Sequence, residues 1–387
     1  MAEQAPPKAS GPESASRPPA RGGEPGARPI EFVVPGELAT RTGGYGYDRR
    51  IVAALRASGR DVRVHELAGD WPWPDEATRS AAGRLLAGVP DGRLVVVDGL
   101  AYGALPEVVR EAAAHLPMVA LVHHPLAFES GLSARDTARL RDTERRSLAV
   151  AAGVVTTSPA TSAALVDGYG VAAARIATVP PGTDAAPPAR GSLGGTGNLL
   201  CVATLTRRKG HDVLLEALAG LTDHDWRLVC VGSATRDPDT AAALGARVRA
   251  LGLGARVTFA GELDDAALEA RWQEADLFVL PSRHEGYGMV LDEALARALP
   301  IVASGAGAVA DTVPEGAGLV VAPDDDDALR EALARWFTEP GLRETLRAGA
   351  HRARATLGTW DEAGEAFARA LDAVTATEEM SGRGNAP

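Results

Sequence analysis

Residues 275–304 read ADLFVLPSRHEGYGMVLDEALARALPIVAS, and this stretch decides the fold class. Apolar runs at 277–280 and 300–303 are typical of buried strands, and residues 289–298 between them have the apolar spacing of a helix. A strand, loop, helix and strand in this order form one unit of a parallel sheet. The loop amides and the helix N-terminus of such a unit point to one place beyond the strand ends, which suits a phosphate group.

Two glycines and two carboxylates mark the loop. Gly286 and Gly288 allow the backbone to approach a ligand closely. Glu285 and Glu293 flank them with seven residues between. A carboxylate beside a phosphate is unfavourable in Coulomb terms, so these side chains are better suited to accept hydrogen bonds from sugar or ribose hydroxyls. The alternative is that both are ordinary solvated glutamates.

The same stretch resembles the Glu-x7-Glu signature of the retaining glycosyltransferases of family 4. The matching positions are Leu280, Pro281, Ser282, Glu285, Gly286, Gly288, Glu293 and Ala294. The resemblance implies that Glu285, a catalytic residue, and the segment Gly286, Tyr287, Gly288, Met289 hold the donor sugar. It also implies that Glu293 binds the ribose of the donor nucleotide. The fold it implies is GT-B, an α/β architecture of two doubly wound Rossmann-like domains facing each other across a cleft.

Composition supports two domains and excludes several function classes. The chain has 387 residues, 45% of them hydrophobic, which is enough for two separate cores. A net charge of −11 argues against a general nucleic-acid or anionic-membrane binder, so membrane contact is expected to be peripheral at most. Cys201 and Cys230 lie in apolar runs and are expected to be small buried hydrophobes. We expect a cytoplasmic protein, since no apolar run reaches membrane length and the first thirty residues lack a signal-peptide core.

Patterning divides the chain as follows. Residues 1–28, rich in proline and small residues, and 377–387 are expected to be disordered tails. The pattern predicts an N-terminal Rossmann-like domain at 29–184, a linker at 185–197 and a C-terminal Rossmann-like domain at 198–357. The resemblance implies that the first is the acceptor-side domain and the second the nucleotide-sugar-binding domain. The resemblance implies that a helix at 358–376 crosses back to the N-terminal domain.

The N-terminal half offers a glycine loop and a histidine pair. Gly43 and Gly44 follow the first strand and resemble the family's Gly-Gly loop, which places Gly44 near the donor. His123 and His124 follow a predicted strand, where open α/β sheets collect functional groups. In the family a histidine at this strand end lies near the reacting sugar; His123 is the closest counterpart and His124 the competitor. Trp71 and Trp73 are either a sugar-stacking surface or packing under a loop.

A basic cluster opens the C-terminal half. Arg207, Arg208 and Lys209 precede a predicted helix, where positive charge opposes the helix dipole unless an anion is bound. Lys209 matches the family lysine that binds the donor diphosphate. Thr204 stands where many members have an arginine, and either Arg207 or Arg208 supplies the missing charge.

The predicted activity is transfer of a sugar from a nucleotide diphosphate sugar, of UDP or GDP type, to an unknown glycan, lipid or small-molecule acceptor. We expect retention of anomeric configuration and no metal or other cofactor. Asp324 to Asp327 precede a predicted helix and are expected to complement its dipole rather than to bind metal. No acidic cluster is expected in the cleft. The rival functions are a nucleotide-sugar epimerase of the same fold and a noncatalytic nucleotide-sugar-binding protein.

Overall fold

The computed structural model describes residues 28–192, 197–305 and 307–383. Two six-stranded sheets, parallel throughout, each lie between layers of helices. We call the elements around the first sheet the N-terminal unit and those around the second the C-terminal unit. This is the doubly wound, two-sheet architecture predicted from the sequence. In the described part of the chain, no helix combines the length and apolar character that crossing a membrane requires.

The N-terminal unit has strand order β2-β1-β3-β4-β5-β6. Its central strands are buried on both faces, which is why they are runs of Val, Ile, Leu and Ala. The order reverses between β1 and β3, so a crevice opens at their carboxyl ends. The strands are β1 (Ile30–Pro35), β2 (Val62–Leu67), β3 (Leu94–Asp98), β4 (Met118–Val122), β5 (Gly153–Thr156) and β6 (Ile176–Thr178). The helices are α1 (Gly43–Ala57), α2 (Glu76–Ala87), α3 (Gly99–Ala104), α4 (Pro106–Ala112), α5 (Ala134–Ala149) and α6 (Pro159–Tyr169), with 3-10 turns at Leu126–Phe128 and Ala173–Arg175.

The C-terminal unit has strand order β12-β11-β10-β7-β8-β9, and its order reverses between β7 and β10. The loops that follow these two strands carry the basic cluster and the first glutamate of the pair. The strands are β7 (Asn198–Val202), β8 (Arg227–Val231), β9 (Val257–Gly261), β10 (Leu277–Leu280), β11 (Ile301–Ser304) and β12 (Gly318–Val321). The helices are α7 (His211–Ala219), α8 (Pro238–Ala250), α9 (Asp265–Glu274), α10 (Met289–Ala296), α11 (Val309–Thr312), α12 (Asp326–Thr338) and α13 (Pro340–Arg354), with a 3-10 turn at Arg207–Lys209.

The last helix, α14 (Trp360–Arg383), returns to the N-terminal unit. Its Phe367 and Leu371 are buried in one core with Ile51 and Leu55 of α1. The chain therefore crosses between the units twice, once in each direction.

Two expected boundaries differ from those in the structure, and several expected segments lie outside the described residues. Residues 377–383 were expected to belong to a disordered tail but continue α14 as regular helix. The predicted helix at 289–298 ends at Ala296, because Ala298 has a φ of 55° that a helix cannot continue. The expected tail at 1–27, part of the expected linker at 193–196, and residues 384–387 lie outside the described residues.

Candidate active site

The loops after β7 and β10 meet at the switch point of the C-terminal sheet. Gly210 makes this possible: its φ is +65°, and a Cβ there would lie 2.0 Å from the carbonyl oxygen of Pro281. The loop after β7 then forms a 3-10 turn that turns Lys209 toward Glu285. The Nζ atom of Lys209 donates to Oε1 of Glu285 at 2.5 Å.

Glu285 is buried and is held as a carboxylate. Its side chain is 7% exposed, and Oε2 lies 3.5 Å from Nη1 of Arg208. Burial alone would raise the pKa of Glu285, but Lys209 and Arg208 outweigh that effect and lower it to about 2. The acid is therefore fully ionised at neutral pH, with two cations beside it.

The structure separates the two candidate arginines. The side chain of Arg208 is 17% exposed, and its Nη1 donates to the carbonyl oxygen of His284 at 2.8 Å, next to Glu285. The side chain of Arg207 is exposed, and the ion pairs of Glu285 within the described residues are with Arg208 and Lys209. Arg208, not Arg207, shares the site with Lys209, because the tight turn points successive side chains in different directions.

The segment after Glu285 leads into α10 as the sequence predicts. Gly288 is the N-cap of α10 and has a φ of 88°. The hydroxyl of Tyr287 donates to Oδ2 of Asp292 at 2.6 Å, which ties the loop to the first turn of the helix. The amides of the first turn point out of the helix, and this end carries positive partial charge suited to a diphosphate.

Glu293 lies on the same helix and is half-buried. Burial raises its pKa to about 7, and Arg297 only partly opposes the shift. The Nη1 atom of Arg297 donates to the Glu293 carbonyl oxygen at 2.9 Å and so fixes the backbone at this position. A carboxyl group with a pKa near 7 can accept hydrogen bonds from hydroxyl groups when ionised and can also donate one when protonated.

Across the cleft, His123 follows β4 and is bound by two aspartates. Its Nε2 lies 3.1 Å from Oδ1 of Asp48 on α1 and 3.3 Å from Oδ2 of Asp98 at the end of β3. Both carboxylates are buried. Burial opposes protonation of the imidazole, but Asp48 and Asp98 outweigh it and raise the pKa of His123 to about 10.

This triad corrects one expectation. An acidic cluster does lie in the cleft: ligand atoms of Asp48, Asp98 and His123 are all within 4.8 Å of one another. Spacing along the sequence does not identify Asp48 and Asp98 as partners of His123. They precede it by 75 and 25 residues, and only the packing of α1, β3 and β4 brings them together.

The two units touch at the histidine. A Cβ on Gly286 would lie 2.0 Å from the carbonyl oxygen of His123, so only glycine permits this approach. A Cβ on Gly44 would lie 3.2 Å from Cδ2 of the His123 ring. The hydroxyl of Thr161 donates to the carbonyl oxygen of Gly286 at 3.3 Å. The predicted residues Gly44, His123, Glu285 and Gly286 therefore form one cluster that spans both units.

His124, the competing histidine, points elsewhere. Its Nε2 lies 3.7 Å from Oε2 of Glu129, and its ring centroid is 6.2 Å from that of His284. His123, which contacts the two aspartates, is the histidine whose ring lies beside Gly44. The sequence gives no sign that Glu129 lies beside His124, because Glu129 is in an irregular loop with no motif around it.

Other residues singled out in the sequence have structural partners. The indole Nε1 of Trp71 donates to the carbonyl oxygen of Leu67 at 3.1 Å, and the guanidinium of Arg139 lies 4.9 Å from the centre of the Trp73 ring. Asp325 caps α12 by accepting from the Ala328 amide at 2.8 Å. Cys201 and Cys230 are buried free cysteines, as predicted.

Residues 187–353 match the family model described as "Glycosyl transferases group 1", and residues 95–186 match "Glycosyltransferase Family 4". A lipopolysaccharide core biosynthesis mannosyltransferase of Rhizobium leguminosarum is 36% identical over 146 residues, which are 37% of this chain and 41% of that protein. The chain spans about half the length of the curated relatives it matches.

Solved structures resemble the fold along nearly the whole chain. Sucrose-phosphate synthase of Thermosynechococcus elongatus superposes with a TM-score of 0.74 at 23% identity, covering 90% of this chain and all of that one. An Anabaena protein, HepE, in complex with UDP-glucose superposes with a TM-score of 0.69 at 18% identity, covering 89% of this chain and 99% of that one. At these identities the likeness shows the fold.

Proposed function

The chain belongs to glycosyltransferase family 4 and has the GT-B fold, and on this premise we propose that it moves a sugar from a nucleoside diphosphate sugar to an acceptor hydroxyl. We propose further that the anomeric configuration is retained and that no metal is required. A UDP sugar is the first donor to test, because the Anabaena structure of the same fold holds UDP-glucose.

The observation that carries the proposal is the position of Glu285. It lies between Lys209 and Arg208, directly before the glycine segment that touches His123 of the other unit. Cations and a helix N-terminus suited to a diphosphate thus lie beside a carboxylate suited to sugar hydroxyls. A site for the nucleotide alone would not need the facing histidine.

Charge on the leaving diphosphate is the main barrier that the site must lower. Lys209, Arg208 and the amides at the start of α10 would stabilise that charge as the bond to the sugar breaks. Neutralisation by fixed cations and amides supports a reaction without metal. Glu285 would hold hydroxyls of the sugar and so place its anomeric carbon.

The contacts of His123 support the proposal of retention. The Nε2 atom of His123 is engaged by Asp48 and Asp98, so that nitrogen does not face an acceptor. The proposal is front-face departure: the anomeric carbon to phosphate-oxygen bond breaks, the acceptor oxygen bonds to the same face, and the leaving phosphate takes the acceptor proton. His123, held as a cation, positions the sugar rather than abstracting the proton.

A ligand screen followed by product analysis tests the proposal. UDP, GDP, ADP and TDP sugars are added in a thermal-shift assay, where a ligand at 100 times its Kd stabilises by about 2.7 kcal/mol. The stabilising sugar is then incubated with candidate acceptors. Release of free nucleoside diphosphate together with a new glycoside is the expected result. Donor binding with no release, or conversion of the donor into an epimeric nucleotide sugar, would contradict the proposal.

A further inference from the structure

An ion pair links the two units at the edge of the site. Oε1 of Glu129, in the loop after the Leu126–Phe128 turn, lies 3.2 Å from Nε of Arg208. Glu129 belongs to the N-terminal unit and Arg208 to the C-terminal unit. The same guanidinium donates to the His284 carbonyl oxygen and approaches Glu285. One side chain of the proposed diphosphate site is thus shared between a carboxylate of its own unit and one from across the cleft.

Further contacts surround this ion pair. The rings of Phe128 and His284 meet edge to face, with centroids 5.0 Å apart and an angle of 82° between planes. A Cβ on Gly131 would lie 3.9 Å from Cδ of Arg207. Residues 128–131 of the N-terminal unit therefore rest on the basic turn and on the residue before Glu285. The contact is a small interface with a charged centre.

The loop that carries Glu129 is held from its own side. The Leu126 amide donates to Oε2 of the buried Glu144 at 2.9 Å, and the Ser130 amide donates to Oε1 of Glu129 at 3.0 Å. Glu129 is therefore presented by a fixed turn, and its ion pair with Arg208 forms only when the units are together.

We propose that Glu129 is a positioning residue that latches the N-terminal unit to Arg208 and holds the cleft closed before a donor binds. The proposal rests on the proposed function for its effect on catalysis, but the latch itself is a property of the free protein. Glu129 is 45% exposed, so the ion pair is partly screened by water and its loss is expected to shift the open and closed populations by a few-fold.

The test compares Glu129→Gln with the wild-type chain and with a matched control, Glu107→Gln. Glu107 forms a comparable ion pair with Arg146 at 2.6 Å, but both partners lie within the N-terminal unit. Small-angle scattering of the donor-free proteins is expected to give a larger radius of gyration for Glu129→Gln and an unchanged one for Glu107→Gln. Glu129→Asp keeps the charge, so its radius of gyration should lie between those of Glu129→Gln and the wild-type chain.

Kinetics supply a second readout. Opening of the cleft lowers the fraction of binding-competent protein, so the donor KM of Glu129→Gln should rise about two- to fivefold while kcat stays within about twofold. An unchanged radius of gyration, or tighter donor binding in Glu129→Gln, would overturn the latch. If the wild-type chain binds no nucleotide sugar, the proposed function fails. The scattering comparison still tests whether Glu129 holds the two units together.

Discussion

The ammonium group of Lys209 donates to the carboxylate of Glu285 across 2.5 Å, which joins the loop after β7 to the loop after β10. The pair sits where the strand order of the C-terminal sheet reverses. The ion pair with Glu285 fixes the Lys209 side chain in place, so the proposed binding of a diphosphate would need little reorganisation of it. The roles proposed for the two residues can be tested separately by substitution.

Replacing Lys209 should impair the reaction more than the fold. In Lys209→Met the chain loses one of the charges proposed to stabilise the leaving diphosphate, and kcat/KM should fall about 100-fold, which is about 2.7 kcal/mol. Steady-state kinetics at varied donor concentration measures this. Arg247→Met, which breaks an exposed ion pair with Glu216, is the control and should keep full activity. A Lys209→Met protein that melts early but keeps its rate while folded would show that the lysine is structural.

Glu293 is expected to contribute to nucleotide affinity. Glu293→Ala removes the proposed hydrogen-bond partner of the ribose and should weaken nucleotide binding by about 1.5 to 3 kcal/mol. Calorimetric titration with the nucleoside diphosphate measures the change. Glu331→Ala, on the exposed surface of α12, serves as the control. An unchanged dissociation constant for Glu293→Ala would rule out the ribose role.

Glu144 should make the free energy of unfolding depend on pH. Burial raises its pKa from 4.5 to about 8, so between these values the folded state holds a proton that the unfolded state has released. This contribution is fully present below pH 4.5 and is lost as pH rises through 8, with a slope of up to about 1.4 kcal/mol per pH unit.

The substitution Glu144→Gln should flatten that dependence, because the amide stays neutral at every pH. Denaturant unfolding of both proteins between pH 5 and 8 measures it. The variant should gain stability relative to the wild-type chain as pH rises. Parallel curves over this range would mean that Glu144 is ionised in the fold.

The sequence predicts those parts of the candidate site that lie within a single loop or at the start of a single helix. The segment from Leu277 to Ser304 combines strand, glycine turn and helix signals, and Lys209 stands at a helix start where its charge needs an anion. Asp48 and Asp98 were missed, because their contact with His123 depends on which strands are neighbours rather than on spacing along the chain. Which of Arg207 and Arg208 lies beside Glu285 depends on where their side chains point from the 3-10 turn. The sequence does not specify these directions.

Activity should survive exhaustive chelation by EDTA. In the proposed mechanism Lys209 and Arg208 supply positive charge for the diphosphate, and the carboxylates of Asp48 and Asp98 are already paired with His123. Initial rates before and after chelation, with added Mg²⁺ or Mn²⁺ as the comparison, give the measurement. Loss of activity that either ion restores would contradict metal independence and would direct attention to the Asp48, Asp98 and His123 cluster.

The central claim is front-face transfer at the cluster formed by Glu285, Gly286 and His123, and the anomeric configuration of the first product tests it most directly. Proton NMR of the first glycoside formed distinguishes α from β linkages through the coupling at the anomeric proton. An α-linked donor is expected to give an α-linked product, because the proposed mechanism brings the acceptor to the face from which the diphosphate departs. A β-linked product from the same donor would contradict both the mechanism and the roles given to these residues.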